Sequence, residues 1–272
     1  YDLNGNRIGG PLGTAVFDAQ DRMTSYGPNT YVYGDDGSLQ QRTSPSGTWT
    51  YTYDDLGNLR VAARAGGPTV SYVVDGFGRR VAKIVGGAMV RGWLYSSSER
   101  PIAETDGTGV VTRLFGYAGM GAPDVLADIH NGGPGTTYRV LKDHLGSPRL
   151  IVNAGSGAVV QERAYDAFGA MTVSGTDTDP DLIPFGFAGG LYDDNTGLLR
   201  FGARDYDPEA GRWLAKDPSL FAGGINLYRY TWNDPVNYVD PNGEHPVLAA
   251  LFIVAAGMLV ESSDDFVGMV KL

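Results

Sequence analysis

The sequence predicts an all-β protein of many short strands joined by tight turns, and three observations predict it. The 272 residues include 40 Gly and 15 Pro, far above the roughly 12% that the pair ordinarily makes up. A Tyr-Asp turn motif recurs along the chain, and the segments between its copies alternate apolar with polar. With 16 Tyr, 10 Phe and 42% hydrophobic residues, this is no disordered linker, which would be poor in aromatics.

The motif opens the chain as Tyr1-Asp2-Leu3-Asn4-Gly5 and returns as Tyr33-Gly34-Asp35-Asp36-Gly37. Tyr53-Asp54-Asp55-Leu56-Gly57, Val74-Asp75-Gly76-Phe77-Gly78 and Tyr165-Asp166-Ala167-Phe168-Gly169 follow. An Asp at the head of a turn hydrogen-bonds the backbone two residues on, and Gly supplies the positive φ that closes a hairpin. Hairpin turns are therefore expected at Asp35–Gly37, Asp54–Gly57, Asp75–Gly78 and Asp106–Gly109. Between turns, Trp49, Tyr51 and Tyr53 share one face while Thr48, Thr50 and Thr52 share the other, the period of a strand. The alternative use of these Asp residues, calcium binding, would need the denser Dx[DN]x[DN]G pattern, which is absent.

Longer units continue through the strands Val90–Tyr95, Val110–Tyr117 and Tyr138–Lys142, with an Asn131–Gly135 interruption, and then through Leu150–Val152. A loop is expected over Thr176–Pro184. The character changes at Asn242-Gly243, after which Pro246 to Val260 is apolar and uncharged. That run is shorter than the roughly 20 residues of a spanning helix, so a buried helix or interfacial segment is expected. Glu261, Asp264 and Asp265 follow it.

Charge and composition exclude several functions. A net charge of −10 argues against nucleic acid, whose binding needs basic clusters. The absence of cysteine removes disulfides, thiolate metal sites and cysteine catalysis. His130, His144 and His245 are widely spaced, so no histidine metal site and no cofactor are expected. The chain starts at Tyr1 without a signal-peptide pattern and reads as a fragment beginning inside a longer protein.

The Tyr-Asp units resemble the YD-repeat, or Rhs-repeat, family. Residues 185–243 resemble its Rhs repeat-associated core through Tyr192-Asp193, Thr196-Gly197-Leu198, Arg204-Asp205-Tyr206-Asp207-Pro208 and Gly211-Arg212-Trp213-Leu214. Asp217-Pro218, Gly224–Tyr228, Asn233–Asn237 and Tyr238–Gly243 continue the match. The resemblance implies three parts: YD hairpins over 1–175, an Rhs core over 176–243, and the start of a variable region over 244–272. It implies a spiral of hairpins forming part of a curved sheet or shell, ended by a core that plugs it. Relatives include polymorphic toxin shells, the C subunits of insecticidal Tc complexes, and teneurins.

The function implied is the closing portion of an exported bacterial shell, secreted or at the cell surface, that encloses or presents a variable toxin region. Implied partners are the remainder of the shell or other copies of the chain, a toxin cargo, and an immunity protein. Membrane contact through Pro246 to Val260 is a further expectation. In Tc-type relatives the core is also an intramolecular aspartyl protease. Carried over, its catalytic roles fall on Asp205 and Asp217, with Arg204 assisting, and its junction on Gly243–Glu244. Two carboxylates sharing a proton supply one base and one acid. Here Glu244 stands where the family has Leu, so residues 244–272 are expected to stay attached. Asp205 and Asp217 are expected to approach each other. A third reading, an adhesive or carbohydrate-binding surface, rests on the 16 Tyr and 4 Trp.

Overall fold

A computed structural model describes residues 1–96, 100–130 and 133–249. Seventeen strands, from Gly9–Gly10 to Met171–Gly175, form one antiparallel sheet. Each strand pairs with its successor, as Gly47–Tyr53 does with Leu59–Arg64, which makes the sheet a meander. Among the described residues no ladder joins the first strand to the last, and the sheet stays open.

One hydrogen-bond pattern builds the turns. The Asp carboxylate accepts the backbone N–H groups two and four residues on, and the residue three on donates its N–H to the Asp carbonyl. Asp2, Asp18, Asp54, Asp75, Asp106, Asp143 and Asp166 all follow it. The turns expected at 54–57, 75–78 and 106–109 are in place. The turn expected at Asp35–Gly37 begins one residue earlier, because the Gly37 N–H bonds to the carbonyl of Gly34. With no side chain at the head of that turn, Asp36 takes over and accepts the Ser38 N–H at 2.9 Å. A turn at Asp18–Arg22 carries no glycine signal, since Asp21 itself adopts a φ of 61°, a conformation Asp tolerates better than most residues.

The plug covers one face of the sheet. It holds a four-stranded antiparallel sheet of Leu191–Tyr192, Leu199–Phe201, Arg204–Asp207 and Arg212–Trp213. Short turns of helix at Phe187–Gly189, Leu220–Gly223 and Thr231–Asn233 follow the chain around it. Tyr238–Val239 then pairs with Val247–Leu248. Inside, Tyr206, Trp213 and Tyr230 pack edge-on and tilted against one another at centroid separations of 4.6 to 5.5 Å. On the sheet side, Tyr26, Tyr31, Trp49, Tyr51 and Tyr72 pack with Leu198, Ala210 and Leu214 of the plug. Burial of this kind contributes about 25 cal/mol per Å² of apolar surface. Where the backbone of the plug meets the Gly121–Ala122 backbone of the hairpin layer only glycine fits: a Cβ on Gly189 would lie 2.4 Å from the Ala122 nitrogen.

Of the run Pro246 to Val260, residues up to Ala249 are described: Val247–Leu248 is a strand, and Ala249 is buried. The helix or membrane segment expected over the remainder lies outside the described residues. No helix among the described residues is long and apolar enough to cross a membrane.

Candidate functional site

The strand Arg204–Asp207 is buried along its whole length. Successive side chains of a strand point to opposite faces, so its polar groups divide between two clusters. Asp205 and Asp207 reach toward the large sheet. Asp205 is held by Arg80 at 2.7 Å and Arg200 at 2.8 Å, and Asp207 by Arg42 at 2.9 Å. Arg200 also donates to Asn58 Oδ1 and to the Gly78 carbonyl, at the tips of two Tyr-Asp turns.

Neighbouring contacts repeat the scheme. Lys83 Nζ lies 3.1 Å from Asp193 and 2.7 Å from Asp194, and the Tyr72 hydroxyl donates to Asp193 at 2.8 Å. The Tyr228 hydroxyl donates to the Gly37 carbonyl and the Tyr206 hydroxyl to the Phe168 carbonyl, each at 2.8 Å. The plug is thus fastened to the tips of successive hairpins and to the strands behind them.

Arg204 faces the other way and organises a second cluster. Its Nη2 lies 2.8 Å from Asp217 and 3.3 Å from Asp240. Its Nε donates to the Gly243 carbonyl at 2.5 Å, and its Nη1 to the Leu227 carbonyl at 3.2 Å. The guanidinium packs 4.2 Å from the Trp213 ring centroid. Asp240 Oδ1 accepts the backbone N–H groups of Glu244 at 3.0 Å and His245 at 3.1 Å. Asp217 Oδ1 accepts both the N–H and the hydroxyl of Ser219.

Burial raises the Asp240 carboxyl above its ordinary range, against the pull of Arg204 and the two amides, and nearby Asp217 adds to the rise. Burial also lowers the Arg204 guanidinium, although both carboxylates oppose it. Beside this cluster opens a cleft of about 1100 Å³, lined by the turns at 54–58 and 76–79 and by Arg204, Lys216, Asp217, Asn242 and Glu244.

Of the predicted site residues, the structure brings Arg204 and Asp217 together with the Gly243–Glu244 junction. It places Asp205 in the other cluster, and the carboxylate that shares Arg204 with Asp217 is Asp240. Sequence reasoning did not assign Asp240 a role. The signal that could have found it is its Asp-Pro dipeptide, which repeats Asp217-Pro218. Chemically, two carboxyls, Asp217 and Asp240, share a guanidinium that holds the Gly243 carbonyl, and Asp240 also accepts the Glu244 N–H of the same peptide bond. Such a set can activate water and protonate a leaving amine. Among the described residues no group of His, Asp or Glu is arranged to hold a metal ion.

Comparison with known proteins places this architecture. The Teneurin YD-shell family matches residues 1–236. Teneurin-3 of Danio rerio is 30% identical over 280 residues, covering 94% of this chain and 10% of that protein. Teneurin-1 of Homo sapiens is 33% identical over 259 residues, covering 88% of this chain and 9% of its own. Among solved structures, the TcdB2-TccC3-TEV crystal structure superposes with a TM-score of 0.56 at 21% identity, covering 79% of this chain and 13% of that one. The Tc holotoxin pore of Photorhabdus luminescens superposes with a TM-score of 0.53 at 18% identity, covering 86% and 15%. The chain spans about a tenth of the length of the curated relatives it matches. With the open meander, the plug fastened to its turn tips and the family match over residues 1–236, the chain belongs to the Teneurin YD-shell family.

Proposed function

We propose that this chain closes one end of an extracellular YD shell, and that the shell encloses or presents the polypeptide following residue 243. The observation that carries the reading is the plug. Asp193, Asp205 and Asp207 anchor it to the sheet by ion pairs to Lys83, Arg80 and Arg42, and the segment after Gly243 begins beside the cleft at Glu244. Bare strand edges invite pairing, and the edge at Met171–Gly175 has no further partner among the described residues. More wall is therefore the partner this sheet needs. Imaging the protein with all the sequence its own cell makes it with tests the reading. A walled particle in which further strands continue the sheet is expected; an isolated open sheet would overturn it.

A second reading, self-cleavage between Gly243 and Glu244, is favoured by the contacts of Arg204 and Asp240 with that peptide bond. In it, Asp217 takes a proton from water as the water oxygen bonds to the Gly243 carbonyl carbon. Asp240 gives its proton to the Glu244 nitrogen as the C–N bond breaks, and Arg204 holds the carbonyl oxygen. Intact mass decides it: a wild-type chain ending at Gly243, with Asp217→Asn and Asp240→Asn both whole, is the supporting result. Cleavage that persists in both variants would point to spontaneous breakage at Asn242-Gly243 and remove the protease.

A further inference from the structure

A second cavity, of about 280 Å³, lies on the seam between sheet and plug. Four arginines line it: Arg79, Arg80 and Arg100 from the hairpin side, and Arg200 from the plug. The aromatic rings of Tyr95, Phe185 and Phe201 line it too. No Asp or Glu among the described residues does so, although the chain as a whole carries a net charge of −10. Arg79 has its own counter-ion in Asp75 at 2.7 Å, and Arg100 donates to the Gly119 carbonyl at 2.6 Å.

The other two are short of charge. Arg80 and Arg200 are 2% and 5% exposed, and Asp205 is the one carboxylate that pairs with either among the described residues. Burial lowers both guanidiniums. At Arg80 the nearby Asp205, Tyr72 and Asp193 outweigh it; at Arg200 Asp205 does not, and the like charge of Arg80 adds to the deficit. Arg200 has neutral acceptors besides, in Asn58 and the Gly78 carbonyl. Arg80 has none, because its side chain makes a single hydrogen bond among the described residues, the one to Asp205. Its guanidinium lies 3.5 Å from the Tyr72 ring centroid, and its remaining N–H groups have no acceptor. Buried donors left unpaired are costly. We propose that this cavity binds a small monocarboxylate with an apolar body, its carboxylate facing Arg80 and Arg200 and its body lying against Phe185 and Phe201. Two guanidiniums against one carboxylate leave one charge to balance, so a monoanion fits where the second charge of a phosphate would be buried unpaired. The planar carboxylate suits a guanidinium, and aromatic walls favour an organic acid over a bare halide. An apolar cavity of roughly 150 Å³ takes a benzene ring, so this one has room for a ring with a carboxylate arm. Because its walls come from both layers, an occupant would fasten plug to sheet.

The test is isothermal titration of the full chain with phenylacetate, which should bind saturably at one site per chain. The uncharged phenylacetamide should bind about tenfold more weakly or worse, the loss of a charge-assisted hydrogen bond. Chloride or inorganic phosphate at the same concentration should not displace the probe. Arg80→Gln should weaken phenylacetate by about the same factor. Arg80 also holds Asp205, so a second measurement does without the substitution: hydrogen exchange of the wild-type chain with and without phenylacetate. Amides 187–191 and 199–202 should slow several-fold, while Gly13–Phe17 stays unchanged. No saturable binding, phenylacetamide binding as tightly as phenylacetate, displacement by equal chloride, or protection falling elsewhere would each overturn the proposal.

Discussion

Lys83 is 3% exposed and stands between Asp193 and Asp194. Removing one partner of a buried pair leaves the other charge stranded, which costs 3–5 kcal/mol. Lys83→Met should fall near the lower end, about 3 kcal/mol, because Tyr72 still donates to Asp193; denaturant unfolding measures it. Burial pushes the Asp193 carboxyl up, but Lys83 and Arg80 more than offset this and hold it below its ordinary 3.8. The unfolded state therefore binds the proton first as pH falls. The contribution of Asp193 is complete above 3.8 and is lost as pH drops through its lower folded value. Asp193→Asn should flatten the fall in stability in that window, and an unchanged slope would contradict the assignment. Neither pair was legible in the sequence, because Lys83 and Asp193 stand 110 positions apart and only the closed fold introduces them. Arg204 and Asp217 were legible as candidates through the family motif. Asp240 was visible only as part of the junction, since its sharing of Arg204 is a fact of the fold.

At the scale of elements, the hairpins were legible because their chemistry is local: an Asp and a Gly three residues apart make the whole turn. The failures are local too. Gly34 holds the position that Asp holds elsewhere, and Asp21 does the work of a glycine, so a reading keyed to Asp and Gly misplaced one turn and overlooked the other. The same glycines separate into two kinds. Gly57 has a φ of 81° and nothing within 4 Å of an added Cβ, so Gly57→Ala should cost only the left-handed strain of about 1 kcal/mol. Gly189 has a φ of 76°, and its Cβ would meet the backbone of Gly121 and Ala122 at 2.4 Å. Backbone cannot step aside as a side-chain tip can, so Gly189→Ala adds overpacking of about 1–3 kcal/mol to the same strain. Thermal unfolding of the two variants should rank Gly189→Ala as clearly the worse. Equal losses would mean that the plug does not press on the sheet at this point.

At the scale of the whole molecule, the sheet and plug make one structure because each leaves its apolar face to the other. Tyr26, Tyr31, Trp49, Tyr51 and Tyr72 are between 1% and 7% exposed with the plug in place. The alternation of Trp49 and Tyr51 with threonines marked them as one face of a strand, but which segment covers that face could not be read. The covering contacts come from Leu198, Ala210 and Leu214, more than a hundred residues later in the chain. A chain ending at Gly175 would keep every hairpin and lose this cover. Its strands would still satisfy their backbone groups, so far-ultraviolet circular dichroism should retain a β signature. The uncovered aromatic face, with Asp193, Asp205 and Asp207 no longer neutralising Lys83, Arg80 and Arg42, should bind a hydrophobic dye and draw chains together. Unfolding should lose its cooperativity, because the long-range half of the packing is gone. A truncated chain that stayed monomeric, bound no dye and unfolded in a single sharp transition would show that the sheet stands without its plug, leaving the ion pairs to serve attachment alone.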